Sequence, residues 1–160
     1  MIYTFQHSSF RDHETGLYNQ SYFMEVFSRE WYRLIREQQG IAIITSRIAP
    51  DFTRDSETNQ LFANVILTNL FRASDLASRF DNNEFIIGLF NLDTEGLETV
   101  LDRLSQATEA TPRLRRKVHF GGVYLLPNNQ IDLRQLFMES HELAQELEKN
   151  KESLYKYVEH

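Results

Sequence analysis

The chain's 160 residues, 41% of them apolar, are enough for one domain that buries its own core, and they leave no room for a second domain of ordinary size. Seventeen Lys and Arg against 23 Asp and Glu give a net charge of −6, the wrong sign for a surface held on nucleic acid or anionic lipid by bulk electrostatics. The absence of cysteine excludes disulfides, thiolate metal sites, thiol nucleophiles and iron–sulfur chemistry, so any chemistry must use carboxylates, histidines or basic side chains.

The opening MIYTFQHSSFRDHE lacks the apolar stretch of a signal peptide. No apolar run approaches the roughly eighteen residues of a membrane helix. A cytoplasmic chain without direct membrane insertion is expected, with residues 1–11 a flexible lead-in or the end of an upstream linker. Phe23, Val26, Phe27, Trp31 and Leu34 recur at helical spacing and predict an amphipathic helix from about Gln20 to Gln38, capped by Asn19 and ended by Gly40. The continuous run Ile41 to Ile44 predicts a strand covered on both faces, the centre of a sheet. A loop from Pro50 to Thr58 precedes a second helix marked by Leu61, Phe62, Val65, Ile66 and Leu70. Leu76–Phe80 and Glu84–Phe90 then read as a strand pair. Asp81, Asn82 and Asn83 between them are residue types that tolerate a left-handed hairpin turn.

Leu97, Val100, Leu101 and Leu104 predict a helix over Thr94–Ala107, Val118–Leu125 a strand, and Leu133 to Leu147 a last amphipathic helix. Leu154, Tyr155, Tyr157 and Val158 suggest a closing edge strand. The basic run Arg113, Arg115, Arg116 and Lys117 reads as a solvated start to a strand rather than a nucleic-acid patch, given the acidic total. The order helix, strand, helix, strand, strand, helix, strand, helix, strand predicts an α+β domain, a mixed five-stranded sheet with a ferredoxin-like split βαβ core flanked by helices. The histidines show no metal or triad spacing, and the twelve phenylalanines mark an aromatic core; any on an outer face would mark a homodimer or inter-domain surface.

Three stretches carry a resemblance. DHETGLYNQSY, from Asp12 to Tyr22, is similar to a D-x-L-T-G-L-x-N-R-x-Y signature. RASDLASRFDNNEF, Arg72 to Phe85, is similar to R-x-x-D followed after five residues by G-G-D/E-E-F. VHFGGVYL, Val118 to Leu125, is similar to a glycine-containing V-T-I-S-I-G-V strand. Together, in order and spacing, they resemble the GGDEF family of diguanylate cyclases, which condense two GTP molecules into cyclic di-GMP on a palm-like sheet of the nucleotidyl-cyclase type. The resemblance spans nearly the whole chain.

The resemblance also implies what is missing. Asp81 and Asn82 stand where the family has two glycines, and Asn83 where it has a metal-binding acid; only Glu84 and Phe85 match the signature turn. Arg47 stands in place of a metal-binding Asp, with Ala49 where a second Asp is usual. The following loop is shorter than the family's, and Glu57 is a loose stand-in for guanine recognition. Glu148 and Glu152 fall where Lys and Arg meet the triphosphate, or one residue out of register Lys149 or Lys151. A guanidinium cannot ligate magnesium, so no cofactor or metal and no catalysis are expected.

The R-x-x-D pair, Arg72 and Asp75, matches the family's inhibitory site for cyclic di-GMP, with Arg103 in register as its third residue and Arg33 as a fourth contact. Guanidiniums clamp phosphate oxygens, and a carboxylate accepts from guanine N1 and N2. In isolation Arg72 and Asp75 would be a solvated ion pair. The resemblance implies a catalytically inactive cyclic di-GMP receptor acting with another domain or protein of a bacterial signalling system. The other reading is a ligand-free scaffold for dimerisation or docking.

Overall fold

The computed structural model describes residues 10–50 and 55–160; of the expected lead-in, only Phe10 and Arg11 fall among them. Its elements, numbered in chain order, are α1 (Gln20–Glu37), β1 (Ile41–Ile48), α2 (Ser56–Asn69), β2 (Leu76–Asp81), β3 (Glu84–Phe90), α3 (Thr94–Glu109), β4 (Val118–Leu125), α4 (Leu133–Asn150) and β5 (Tyr155–Glu159). This is the predicted order.

Successive residues of β1 serve opposite faces. Ile41 and Ile43 pack with Phe23, Phe27 and Trp31 of α1 and Leu136 of α4, while Ala42 and Ile44 pack with Phe62 of α2 and Leu97, Leu101 and Leu104 of α3. A strand with helices on both sides needs apolar residues at every position, which is why the run is unbroken. The sheet order is β2-β3-β1-β4-β5, with β1 central and antiparallel to β3 and β4, and β5 parallel to β4 at the edge.

Local chemistry sets the ends of the elements. The Asn19 side chain accepts from the Tyr22 N–H at 2.9 Å and starts α1. The helix ends at Gln38, in the left-handed region at φ 53, and not at Gly40. Gly40 serves a close approach instead, because a Cβ there would lie 2.2 Å from the Leu92 carbonyl oxygen and from the Tyr124 hydroxyl. Of the expected loop from Pro50 to Thr58, residues 51–54 lie outside the described residues and 56–58 already belong to α2, whose start Asp55 caps by accepting from the Glu57 N–H. At Gly121 a Cβ would lie 2.6 Å from Ala144 N and Ser140 O, so this strand glycine lets α4 lie directly on β4. A buried hydrogen bond of 2.7 Å between the Thr45 and Ser140 hydroxyls ties α4 to β1.

The α1–α4 side is aromatic. Phe23, Phe27, Phe80 and Phe137 form successive ring contacts at 5.4–6.0 Å between centroids. Truncating a buried Phe of this kind costs about 3–5 kcal/mol. No described helix is long and apolar enough to cross a membrane.

Candidate functional site

Antiparallel register places Arg47, near the end of β1, opposite Glu84 of β3 and His119 of β4. Its Nη1 lies 3.9 Å from Glu84 Oε2, and its Nε donates to Glu148 Oε2 of α4 at 3.2 Å. The side chains of Arg47, Glu84 and Glu148 are 12%, 12% and 18% exposed. His141 Nδ1 of α4 bonds the other oxygen of Glu84. Each carboxylate is thus answered from within the chain. A divalent cation needs oxygens with lone pairs to give, whereas the guanidinium brings only donors. These residues do not fit a divalent metal.

His119 is buried beside this group, and its Nδ1 has no hydrogen-bond partner among the described residues. Burial holds its pKa below the ordinary 6.5; Glu148 and Glu109 pull upward, and Lys151 downward.

The β2–β3 turn differs from the sequence expectation. Asp81 belongs to β2 and pairs with Glu84 after a register shift at Arg79/Asp81, which leaves Asn82 and Asn83 as the loop. None of the three adopts a positive φ. Arg79 holds the turn, its Nε donating to the Asp81 carbonyl at 3.2 Å and its Nη2 to the Asn82 carbonyl at 3.0 Å. Its Nη1 reaches Asp12 at 3.3 Å and Glu14 at 2.5 Å, joining the segment before α1 to the hairpin. Hydrogen bonding from Ser56, then from Asn59 and Arg79, holds the Glu14 carboxyl below its ordinary 4.5 against the opposing effect of burial. Phe85 is buried, edge-on to Phe62 at 4.9 Å, and packs the core.

The other positions singled out in the sequence separate. Glu57 lies exposed in the first turn of α2 and pairs with Arg113, which also pairs with Asp55. Arg115 Nε and the Arg116 N–H both bond Glu109. Glu152 is exposed, and Lys151 caps α4 in the left-handed region.

Arg72 and Arg103 meet at the segment between α2 and β2, and Arg33 connects to Arg72 through Asn91 after β3. Asp75 Oδ2 accepts from the Arg72 backbone N–H at 3.1 Å, while the Arg72 guanidinium turns to the Asn91 carbonyl instead of pairing with this carboxylate. Asp75 Oδ1 is shielded from solvent and has no hydrogen-bond partner among the described residues. Burial raises this carboxyl above its ordinary 3.8, against the charges of Arg72 and Arg103. The exposed Arg72 guanidinium donates to the Asn91 carbonyl at 3.2 Å, and Arg33 Nη2 to the Asn91 side-chain oxygen at 2.8 Å. Arg33 also pairs with Glu30 and Glu37 of its own helix. Arg103 Nε donates to the Asn69 carbonyl at 3.0 Å, and its guanidinium lies 3.9 Å from the centroid of Phe71, a ring 68% exposed. A cleft of about 230 Å³ beside Arg72 and Asp75 is lined also by Leu17, Leu70 and Ala77 and by Arg11 and Tyr18.

Sequence reasoning missed Asn91 and His141. Asn91 stands at φ 54 just after β3, and an Asn at a strand end is a readable sign of that backbone. His141 meets Glu84 across 57 residues, with no local signal.

No protein-family model and no curated protein matches the sequence. Solved structures do match. The S helix-GGDEF-EAL chain of Vibrio cholerae LapD, bound to c-di-GMP, superposes with a TM-score of 0.79 at 15% identity over 99% of this chain, which spans 39% of that one. The GGDEF domain of FimX from Pseudomonas aeruginosa gives 0.79 at 16% identity, over 94% of this chain and 99% of that one. The coiled coil and GGDEF domain of DgcB from Caulobacter crescentus, in complex with c-di-GMP, gives 0.80 at 10% identity, over 98% and 90%. With a mixed five-stranded sheet and four helices among the described residues, this chain has the fold of a GGDEF domain.

Proposed function

We propose that this chain is a non-catalytic GGDEF-like domain that receives cyclic di-GMP at Arg72, Asp75 and Arg103, with Arg33 behind them, in bacterial second-messenger signalling in the cytoplasm. The observation that carries the reading is the state of Asp75. A carboxylate oxygen shielded from water and without a donor among the described residues is unfavourable in the free domain, and the N1 and N2 donors of guanine satisfy it. Arg72 supplies an exposed guanidinium for a phosphodiester, and Arg103 with Phe71 a flat surface for a base. The LapD and DgcB chains that share this fold are bound to c-di-GMP, which supports the ligand class.

The pairing of Arg47 with Glu84 and Glu148 supports the absence of turnover, because joining two nucleoside triphosphates needs a cation to neutralise phosphate charge. A receptor acts through a difference in affinity between two states, so binding here would shift an assembly equilibrium with a second copy, another domain or a protein partner.

Calorimetric titration of cyclic di-GMP into the native chain and the Arg72→Ala variant tests the reading. Heat with the native chain and none with the variant is expected. No heat from the native chain leaves only a ligand-free scaffold. Incubation with GTP and magnesium is expected to give no cyclic di-GMP, and product above the blank would overturn the non-catalytic part.

A further inference from the structure

The cleft beside Arg72 and Asp75 is also lined by two residues that the R-x-x-D pattern does not contain, Arg11 and Tyr18. Arg11 and Tyr18 pair as an isolated antiparallel bridge, and Tyr18 in turn bridges in parallel to Ser78 of β2, with its N–H on the Ala77 carbonyl at 3.2 Å. The segment before α1 is therefore fastened to the edge of the sheet at residues that line the cleft. The Arg11 guanidinium lies over the Tyr18 ring, 4.4 Å from its centroid, and its Nη1 donates to the Gly16 carbonyl at 3.0 Å.

Stack and hydrogen bond hold the plane of this guanidinium, and among the described residues it forms no ion pair. That contrasts with Arg33, Arg47, Arg79 and Arg113, each paired with two carboxylates. Arg11 and Arg72 thus line one cleft with a single carboxylate, Asp75, and among the described residues neither guanidinium forms an ion pair within 4 Å. The volume, about 230 Å³, falls below the ~300–1,000 Å³ of pockets that enclose a whole drug-sized ligand. It suits one unit of a larger ligand, a base with its phosphodiester.

We infer that Arg11, held by Tyr18, is a ligand-binding residue that fixes one nucleotide unit against Arg72 and Asp75. Arg11 bonds the phosphodiester oxygens, Tyr18 keeps the Arg11 guanidinium in place at the cleft, and Asp75 takes the donors on the base edge. The chain itself then supplies this half of the site. The inference rests on the cyclic di-GMP reading above.

The test is calorimetry of cyclic di-GMP with the native chain, Arg72→Ala, Arg11→Gln and Arg11→Lys, with a thermal melt of each. Gln keeps an amide donor for the Gly16 carbonyl and removes the charge; Lys keeps the charge and removes the planar stack. Arg11→Gln is expected to melt like the native chain and bind about tenfold more weakly or worse, with Arg11→Lys recovering part of the loss. Native affinity in Arg11→Gln, with binding lost in Arg72→Ala, overturns the role of Arg11 and leaves the receptor reading standing. No binding by the native chain overturns both.

Discussion

The two charged regions of this domain use the same residue types to opposite ends. Around Arg47 the charges answer one another: Glu84 and Glu148 share one guanidinium, and His141 takes the remaining oxygen of Glu84. Around Arg72 they do not. Asp75 keeps an oxygen without a donor among the described residues, Arg72 is spent on a single carbonyl, and Arg103 lies on an exposed ring. A closed set of charges stabilises a fold and offers nothing to a ligand, because each partner taken away leaves a desolvated charge behind. An open set is neutral or costly in the free domain and becomes favourable when a ligand supplies what is missing.

This contrast can be broken by substitution, and the largest expected effect lies in the closed region. Arg47→Ala leaves two mostly buried carboxylates without their guanidinium and is expected to lower stability in urea by about 3 kcal/mol or more, with cyclic di-GMP affinity unchanged. A loss within a few tenths of a kcal/mol would mean that the network is not closed in solution.

Asp75→Asn probes the open region and should give the reverse pattern. Asn keeps an acceptor for the Arg72 N–H and removes a carboxylate that burial pushes above 3.8. A raised carboxyl pKa contributes stability that is present below about 3.8 and lost as pH rises through the folded value, so at neutral pH the ionised group is held at a cost. The variant is expected to melt at or above the native temperature while binding cyclic di-GMP about 10–100-fold more weakly, the worth of a hydrogen bond to a charged group. Lower stability with full affinity would make Asp75 a structural cap.

The smallest effect is a pH dependence next to the closed region. The pKa of His119 is lowered by burial, so its contribution to stability is fully present above about 6.5 and is lost as pH falls through the folded value. His119→Leu is expected to flatten the stability profile on the acidic side of that point, as read by melts across pH. A profile unchanged by the substitution would show that His119 is not buried neutral.

Much of this was legible in the chain because it is local. Helix periodicity gave α1, α3 and α4 their faces, Asn19 its cap, and the unbroken Ile41 to Ile44 run its place at the sheet centre. Boundaries were less legible where two residues could do one job, as when Gln38 took the left-handed cap and left Gly40 to make room for Tyr124. In the candidate site, the reach of Arg72 to Asn91 was hidden, as was Arg33 meeting the same residue from another helix. Arg11 carried no sign of its place, since its neighbourhood depends on how the segment before α1 lies along β2.

The sequence by itself determined which elements form, in what order, and that a guanidinium stands at Arg47, because periodicity, capping and side-chain chemistry act within a few residues. Only the tertiary structure decided which charges meet. Arg47 reaches Glu148 across 101 residues, and Arg11 comes to share a cleft with Arg72. Such meetings depend on strand register and on where each helix lies on the sheet, and those follow from packing the whole core at once.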